Sequence, residues 1–159
     1  MDGGEGLGPL GRTEQEQGAM RGSEHSRKRE DMDALDKKLR DLPAKKILYI
    51  EDSSINRHLV TKILAKFPHF ELRCAETGEE GLALLQDFEP NLLLLDLQLP
   101  GIGGREVLAR LKGRAAFPVL IFSADTPPGP GEDGLDGAAG YISKPLDIVK
   151  FKQALCDCI

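Results

Sequence analysis

Cysteine is scarce in this sequence of 159 residues, which contains only Cys74, Cys156 and Cys158. A single residue separates Cys156 from Cys158, and this spacing suits neither a disulfide framework nor a set of zinc ligands. Long apolar runs are also missing: none approaches the ~18 residues of a membrane span, and the N-terminus lacks a cationic start followed by an apolar stretch. We therefore expect a protein of the reducing cytoplasm, without a structural disulfide, a zinc site or insertion into a membrane.

An excess of positive charge is absent as well. The 26 acidic residues outnumber the 21 lysines and arginines, which gives a formal net charge of −5. A domain that binds nucleic acid usually presents a basic face that neutralises phosphates, so direct binding of nucleic acid is not expected. Hydrophobic residues at 40% and charged residues at 30% are instead typical of a globular protein, and the length suits one domain.

The N-terminal part of the chain is poor in large apolar residues. Over residues 1 to about 30, burial could not offset the entropy lost on ordering, which predicts a disordered tail. Between residues 31 and 42, apolar residues recur at helical spacing before Pro43, and this pattern predicts a short amphipathic helix. The helix serves either as a lead-in packed on the domain or as a contact for a dimer or another partner. We assign the tail and this helix to residues 1–45 and the folded domain to residues 46–159.

From residue 46 onward, short apolar runs alternate with helical patterns, as in a chain of βαβ units with a parallel sheet. Five strands are predicted, over residues 47–50, 70–75, 92–95, 119–122 and 141–142. Helices are predicted after the first three strands and at the C-terminus, and Thr77 with Glu80 forms a capping box at the start of one of them. Right-handed crossovers place helices on both faces, which makes a doubly wound α/β fold whose binding site lies at the carboxyl ends of the strands.

Polar side chains follow four of these strands at their carboxyl ends. Glu51 and Asp52 follow the first strand, Asp96 the third, Ser123 the fourth and Lys144 the fifth. Three carboxylates that converge on one edge repel one another, and a divalent cation relieves that repulsion; a ligand set of oxygen atoms points to Mg²⁺. A carboxylate can also accept a phosphoryl group when positive charge meets the transferred oxygens, and Mg²⁺ and the lysine would supply that charge.

Four segments of the chain, ILYIEDSSINR, LLLLDLQLPGIGG, VLIFSAD and YISKPLD, carry a resemblance to a known family. They resemble the signature segments of bacterial response-regulator receiver domains, and the similarity covers about residues 46 to 159. The resemblance implies a flavodoxin-like fold with five parallel strands in the order 2-1-3-4-5. We expect a stand-alone receiver of a two-component system, with a sensor histidine kinase or a histidine phosphotransfer protein as phosphodonor and a downstream protein as target.

The resemblance also implies the roles of the residues that handle the phosphoryl group. Asp96 is the phosphoacceptor, Lys144 pairs with the phosphoryl oxygens, and Ser123 moves to hydrogen-bond the phosphoryl group. Tyr141 stands at the position of the family's switch aromatic and would turn inward when Ser123 moves. Such a protein is not an enzyme towards other molecules, because it catalyses only its own phosphorylation and dephosphorylation.

For the metal, the resemblance implies that Asp52, Asp96 and the backbone carbonyl of Gln98 bind Mg²⁺ directly, while Glu51 acts mostly through water. Glu51 replaces the more usual aspartate of the family, and we expect metal binding to survive this change. Gln98 and Asp125 lie two positions beyond the acceptor and the hydroxyl residue, beside the path of attacking water, and are predicted to set the lifetime of the phosphoryl group. A cis peptide bond is expected before Pro145.

The segment between Ser123 and Tyr141 departs from the family pattern. Its sequence, ADTPPGPGEDGLDGAAG, contains three prolines and five glycines. In a helix interior a proline costs about 3 kcal/mol and a glycine about 1 kcal/mol relative to alanine. We therefore predict that the helix usual at this place is short, shifted or mobile. Partner recognition is then expected to rely on the last helix, the first helix of the domain or the N-terminal segment, and a homodimer is left open.

Three other functions fit parts of the pattern. An adaptor of the same fold that binds its partner irrespective of phosphorylation would not need so complete a site. A phosphohydrolase with an aspartate nucleophile would need a second acid two residues further on, where this chain has Gln98. A flavin-binding electron carrier would need a phosphate-binding Ser/Thr/Gly loop after the first strand, whereas EDSSINR begins with two acids.

Overall fold

The structure is a computed structural model that describes residues 14–125, 135 and 137–159, with side chains among these from residue 22 onward. Ten elements follow one another along the chain. They are α1 (Glu14–Asp41), β1 (Lys45–Ile50), α2 (Ser54–Leu64), β2 (Phe70–Ala75), α3 (Gly78–Phe88), β3 (Leu92–Asp96), α4 (Gly104–Leu111), β4 (Val119–Ser123), β5 (Gly140–Ser143) and α5 (Ile148–Cys158). Each predicted strand is present, and β1, β3, β4 and β5 are longer than predicted by one or two residues.

The five strands form one parallel sheet in the order β2-β1-β3-β4-β5. Every residue of β3 and β4 is buried. This is expected of central parallel strands, because helices cover both of their faces. The predicted doubly wound α/β fold and its strand order are therefore confirmed.

Two apolar clusters lie on opposite faces of the sheet. On one face, Phe67 and Phe122 belong to a cluster that also holds side chains of α1, α2 and α5. On the other face, Phe88 and Leu95 belong to a cluster that holds side chains of α3 and α4. Burial of these apolar surfaces is the main contribution to the stability of such a fold. Because all four pairings of the sheet are parallel, the carboxyl ends of the five strands lie at the same edge.

Side-chain caps start three of the helices. Ser53 begins α2, Thr77 begins α3 and Asp147 begins α5, and each accepts a hydrogen bond from the backbone N–H three residues later. These bonds satisfy donors that the first helical turn leaves without a partner inside the helix. The predicted capping role of Thr77 is confirmed by the 3.1 Å bond from the N–H of Glu80.

The N-terminal helix requires a correction, because α1 begins at Glu14 and not near residue 31. The prediction of disorder therefore fails over residues 14–30, and its part on residues 1–13 lies outside the described residues. Residues 22–31 are all exposed. The scarcity of apolar residues therefore prevents burial of this segment, but it does not prevent the formation of a helix. Charge pairs at helical spacing, such as Glu24 with Lys28 and Arg29 with Asp33, favour a helix that water surrounds.

The C-terminal half of α1 packs on the domain. Leu35 and Leu39 are buried, and Leu39 belongs to the same apolar cluster as Phe151 and Leu155 of α5. The predicted amphipathic pattern is thus present, within a longer helix. The prediction for the segment after β4 falls mainly on residues 126–134 and 136, outside the described residues. None of the helices that the structure describes has the length and apolar composition to cross a membrane.

Candidate functional site

The residues predicted from the strand ends come together at one edge of the sheet. Glu51 and Asp52 follow β1 directly, Asp96 and Ser123 are the last residues of β3 and β4, and Lys144 follows β5. Because β1, β3, β4 and β5 are successive neighbours in the sheet, their carboxyl ends form one continuous rim. The topology therefore brings an acid pair, a third acid, a hydroxyl and an amine to one place.

Three carboxylates form an acidic cluster on this rim. Glu51, Asp52 and Asp96 can each contribute one oxygen such that all three oxygens lie within 4.8 Å of one another. Glu51 and Asp96 are buried, with 0% and 2% of their surface exposed, whereas Asp52 is exposed. Two buried carboxylates and a third carboxylate beside them repel one another, and nearby positive charge would offset this repulsion. The oxygen-only donor set suits a hard divalent cation.

Lys144 supplies part of that positive charge. Its Nζ donates to Oε2 of Glu51 at 2.9 Å and to Oδ2 of Asp96 at 3.1 Å, so one ammonium group bridges the two buried acids. The peptide bond between Lys144 and Pro145 is cis, as predicted. Burial by itself lowers the pKa of Lys144, but the two carboxylates outweigh burial and raise it. The lysine therefore stays charged where it meets the acids.

The two buried acids differ in their affinity for a proton. Burial raises the pKa of Asp96 to about 6, and the adjacent Glu51 adds to the rise, while the N–H of Gln98 and the ammonium of Lys144 oppose it. For Glu51, burial also acts to raise the pKa, but hydrogen bonds with Asp96 and Lys144 outweigh it and hold the pKa below its ordinary value.

The loop between β1 and α2 is held in place by an arginine. Nη1 of Arg57 donates to the backbone carbonyl oxygens of Glu51 at 2.7 Å and of Asp52 at 2.9 Å, and Nη2 pairs with Glu76 at 2.8 Å. The backbone N–H of Ser53 donates to Oε1 of Glu51 at 3.2 Å. These bonds fix the backbone from which two of the three acids extend.

The loop after β3 is fixed at the position of the third acid. The backbone N–H of Gln98 donates to Oδ1 of Asp96 at 3.0 Å. The turn then folds back so closely that a Cβ on Gly104 would lie 2.2 Å from the carbonyl oxygen of Asp96 and 2.6 Å from Cα of Leu97. Only a residue without a side chain fits at Gly104, which explains the glycine at the start of α4.

Ser123 and Tyr141 are linked through the backbone of Asp125. Oγ of Ser123, a fully buried residue, accepts from the N–H of Asp125 at 3.1 Å. The hydroxyl of Tyr141, a half-buried residue, donates to the carbonyl oxygen of Asp125 at 2.7 Å. The two residues predicted to form a switch thus contact the same short stretch of backbone, although neither makes a hydrogen bond to Asp96 among the described contacts.

Comparison with known proteins agrees with this arrangement. The response regulator receiver domain family matches the chain over residues 47–156. The chain belongs to this family. A protein-glutamate methylesterase/protein-glutamine glutaminase of Halalkalibacterium halodurans is 31% identical over 122 residues, which are 70% of this chain and 35% of the relative. The positive alginate biosynthesis regulatory protein of Pseudomonas aeruginosa is 30% identical over 111 residues, which are 69% of this chain and 45% of the relative.

A solved structure extends the likeness to three dimensions. The response regulator TrrA of Thermotoga maritima, crystallised in complex with Mg(2+)-BeF, shares 25% identity with this receiver domain at a TM-score of 0.61. The match covers 72% of this chain and 99% of TrrA. By contrast, this chain spans less than half the length of the two curated relatives named above. What those longer proteins do as a whole therefore belongs to them.

Two residues at the site of this receiver domain were not predicted from the sequence. One is Arg57, described above. The other is Tyr49, whose hydroxyl donates to Oε2 of Glu51 at 3.0 Å from a side chain that is 1% exposed. The period of two in a strand places residue 49 on the same side as residue 51, so the sequence contained a signal for Tyr49. This signal is weak because Tyr49 lies within an apolar run, where an aromatic residue predicts packing in the core.

Proposed function

We propose that this receiver domain accepts a phosphoryl group on Asp96 from a phosphohistidine. The observation that carries the proposal is the bridge from Lys144 to Asp96 at 3.1 Å beside an acidic cluster. A carboxylate nucleophile needs positive charge where the transferred oxygens will lie, because charge on those oxygens dominates the barrier to transfer. Lys144 provides such a charge within hydrogen-bond reach of the nucleophile.

In the transfer step, a carboxylate oxygen of Asp96 forms a bond to phosphorus while the bond from phosphorus to the donor imidazole nitrogen breaks. The electron pair of the broken bond stays on that nitrogen, and the imidazole leaves as a neutral group because its other ring nitrogen carries a proton. In the separate hydrolysis step, the water oxygen forms a bond to phosphorus, a proton leaves to solvent, inorganic phosphate is released, and Asp96 departs as a carboxylate. Lys144 would turn towards the phosphoryl oxygens and neutralise part of their charge in both steps.

The residues at the rim also fit Mg²⁺. We propose that Asp52, Asp96 and the carbonyl oxygen of Gln98 would bind the ion, with Glu51 acting through water. The ion would supply positive charge to the phosphoryl oxygens and relieve the repulsion among the three acids. The backbone bonds of Arg57 keep the carboxylate of Asp52 on the rim, where it can be a ligand.

The proposed output is a change around Ser123 and Tyr141. Ser123 would move to donate a hydrogen bond to the phosphoryl group, which removes Oγ from the N–H of Asp125. Tyr141 would then leave the carbonyl of Asp125 and turn inward. A phosphoryl group on Asp96 would in this way alter the surface next to β5 and favour one of two states.

Receiver domains generally interact with histidine kinases and with downstream effector proteins. For this chain we propose a sensor histidine kinase or a histidine phosphotransfer protein as donor and a protein, with no direct contact to nucleic acid, as target. Methylesterase and glutaminase activities are in the names of longer relatives. We propose that the described domain catalyses only its own phosphorylation and dephosphorylation.

Intact mass spectrometry tests the proposal directly. The protein is incubated with acetyl phosphate and Mg²⁺, and we expect one added phosphoryl group that is absent in Asp96→Asn. Asp87→Asn, an exposed acid on α3, is the matched control and should gain the group as the wild type does. A wild-type protein that gains no phosphoryl group, or an Asp96→Asn variant that gains it equally, would overturn the proposal.

A further inference from the structure

The hydroxyl of a buried tyrosine contacts the acidic cluster from the interior of the domain. Tyr49 lies in β1, is 1% exposed, and donates to Oε2 of Glu51 at 3.0 Å. Its ring fills space in the core, with the centroid 5.6 Å from that of Phe122. A phenylalanine would fill the same space. Packing therefore explains the ring of Tyr49 but not its hydroxyl group.

The hydroxyl shares its acceptor with Lys144. The oxygen that Tyr49 contacts, Oε2 of Glu51, also accepts from Nζ of Lys144 at 2.9 Å. The other oxygen of Glu51 accepts from the N–H of Ser53 at 3.2 Å. Before phosphorylation, therefore, the fully buried carboxylate of Glu51 has three donors, and one of them is the lysine that the phosphoryl group requires.

We propose that Tyr49 is a positioning residue that keeps Glu51 hydrogen-bonded when Lys144 leaves it for the phosphoryl group on Asp96. The inference rests on the proposed function and adds a residue to it. A buried carboxylate oxygen that loses its last donor is strongly destabilised, whereas one that keeps a hydroxyl partner is not. Tyr49 thus lowers the free energy needed to release Lys144, and so favours the phosphorylated state.

The surroundings of Tyr49 allow this movement. A cavity of about 160 Å³ is lined by Tyr49, Phe122 and Lys144, together with residues of α2 and of the segment after Lys144. The lysine therefore borders free space on the side of the tyrosine. The hydroxyl of Tyr49 stays on Glu51 because its ring is fixed in the core.

The experiment compares the wild type with Tyr49→Phe in two measurements. The rate of phosphoryl uptake from acetyl phosphate at saturating Mg²⁺ should fall about tenfold, the factor expected for one hydrogen bond to a charged group. The affinity for Mg²⁺ alone, measured by calorimetric titration, should change by less than about twofold, since the phenylalanine leaves the proposed ligands untouched. A variant with only a packing defect would not show this difference between the two measurements.

A double-mutant cycle with Glu51→Gln shows whether Tyr49 acts through Glu51. Once the charge on residue 51 is removed, Tyr49→Phe should have little further effect on uptake. Equal uptake by the wild type and Tyr49→Phe, or the same loss in both backgrounds, would overturn the inference while the proposed function stands. A wild type that takes up no phosphoryl group would overturn the proposed function and this inference with it. Thermal melting of each variant verifies that it is folded.

Discussion

Lys152 on α5 donates a hydrogen bond from its Nζ to Oδ1 of Asp36 on α1, and both residues are buried. This ion pair lies between the C-terminal half of α1 and the domain, next to the buried Leu35 and Leu39. Nζ of Lys152 also lies 5.9 Å from the ring centroid of Phe67. A charge in such a place is tolerated only with a partner, so α1 is part of the folded domain from about residue 35 onward.

Asp36→Ala should therefore destabilise the protein by about 3 kcal/mol, because it leaves the ammonium of Lys152 buried without a partner. Asp33→Ala, an exposed acid on the same helix, should change stability by less than about 0.5 kcal/mol. The double variant Asp36→Leu, Lys152→Met should recover most of the loss. Urea unfolding measures all three, and equal stability of Asp36→Ala and Asp33→Ala would contradict the expectation.

Gly104→Ala should disturb the turn that presents Asp96. The added Cβ would lie 2.2 Å from the carbonyl oxygen of Asp96, so the backbone of the acceptor must shift. We expect a loss of about 1–3 kcal/mol in the free energy of unfolding and slower phosphoryl uptake. Gly103→Ala is the adjacent control, since the atom nearest its new Cβ is 3.9 Å away. Equal stability and uptake in the two variants would show that the close approach does not matter.

The sequence predicts the fold and most of the site because both follow from one pattern. Apolar runs of strand length separated by helical segments leave few arrangements besides a doubly wound parallel sheet. In that sheet the residue after each strand is forced onto the same rim. Glu51, Asp96, Ser123 and Lys144 could therefore be brought together without knowledge of their coordinates.

What the sequence did not predict depends on side-chain direction and on helices that need no burial. The guanidinium of Arg57 reaches back to the backbone of the preceding loop, whereas the apolar pattern along α2 predicts only the buried face of that helix. The hydroxyl of Tyr49 contacts the carboxylate of Glu51 from within an apolar run, and such a run predicts only packing in the core. Residues 22–31 of α1 form an exposed, charged stretch of helix, which an argument from apolar residues alone cannot detect.

Mg²⁺ should stabilise the folded protein, and the effect should depend on Asp52. A ligand present at about 100 times its dissociation constant stabilises the folded state by about 2.7 kcal/mol, which thermal melting detects easily. We expect Asp52→Asn to lose most of the Mg²⁺-dependent rise in Tm. Without the metal, the variant should be at least as stable as the wild type, because one of three neighbouring negative charges is gone.

The control for this measurement is Asp87→Asn on α3, which removes a negative charge outside the cluster. It should keep the full rise in Tm, so that a general loss of charge is distinguished from the loss of a ligand. Retention of the full Mg²⁺ effect in Asp52→Asn would mean that Asp52 is not a ligand.

Gln98 and Asp125 should set the lifetime of the phosphoryl group. Both side chains are exposed, and their backbone N–H groups donate to Asp96 and to Ser123, at the carboxyl ends of the neighbouring strands β3 and β4. Polar groups in this position can hold the attacking water, and their loss should slow hydrolysis. We expect Gln98→Ala and Asp125→Ala each to lengthen the half-life of the phosphorylated protein by at least about threefold, a change of under 1 kcal/mol in the barrier.

The half-life is measured by intact mass after removal of the phosphodonor, with Asp87→Asn again as a control that should decay as the wild type does. At residue 98 the proposed Mg²⁺ ligand is the backbone carbonyl, which the substitution retains, and the side chain of residue 125 is not a proposed ligand. The affinity for Mg²⁺ should therefore stay near the wild-type value in both variants. A slower decay with unchanged Mg²⁺ affinity therefore assigns the effect to the attacking water. An unchanged half-life in either variant would remove that residue from the path of the water.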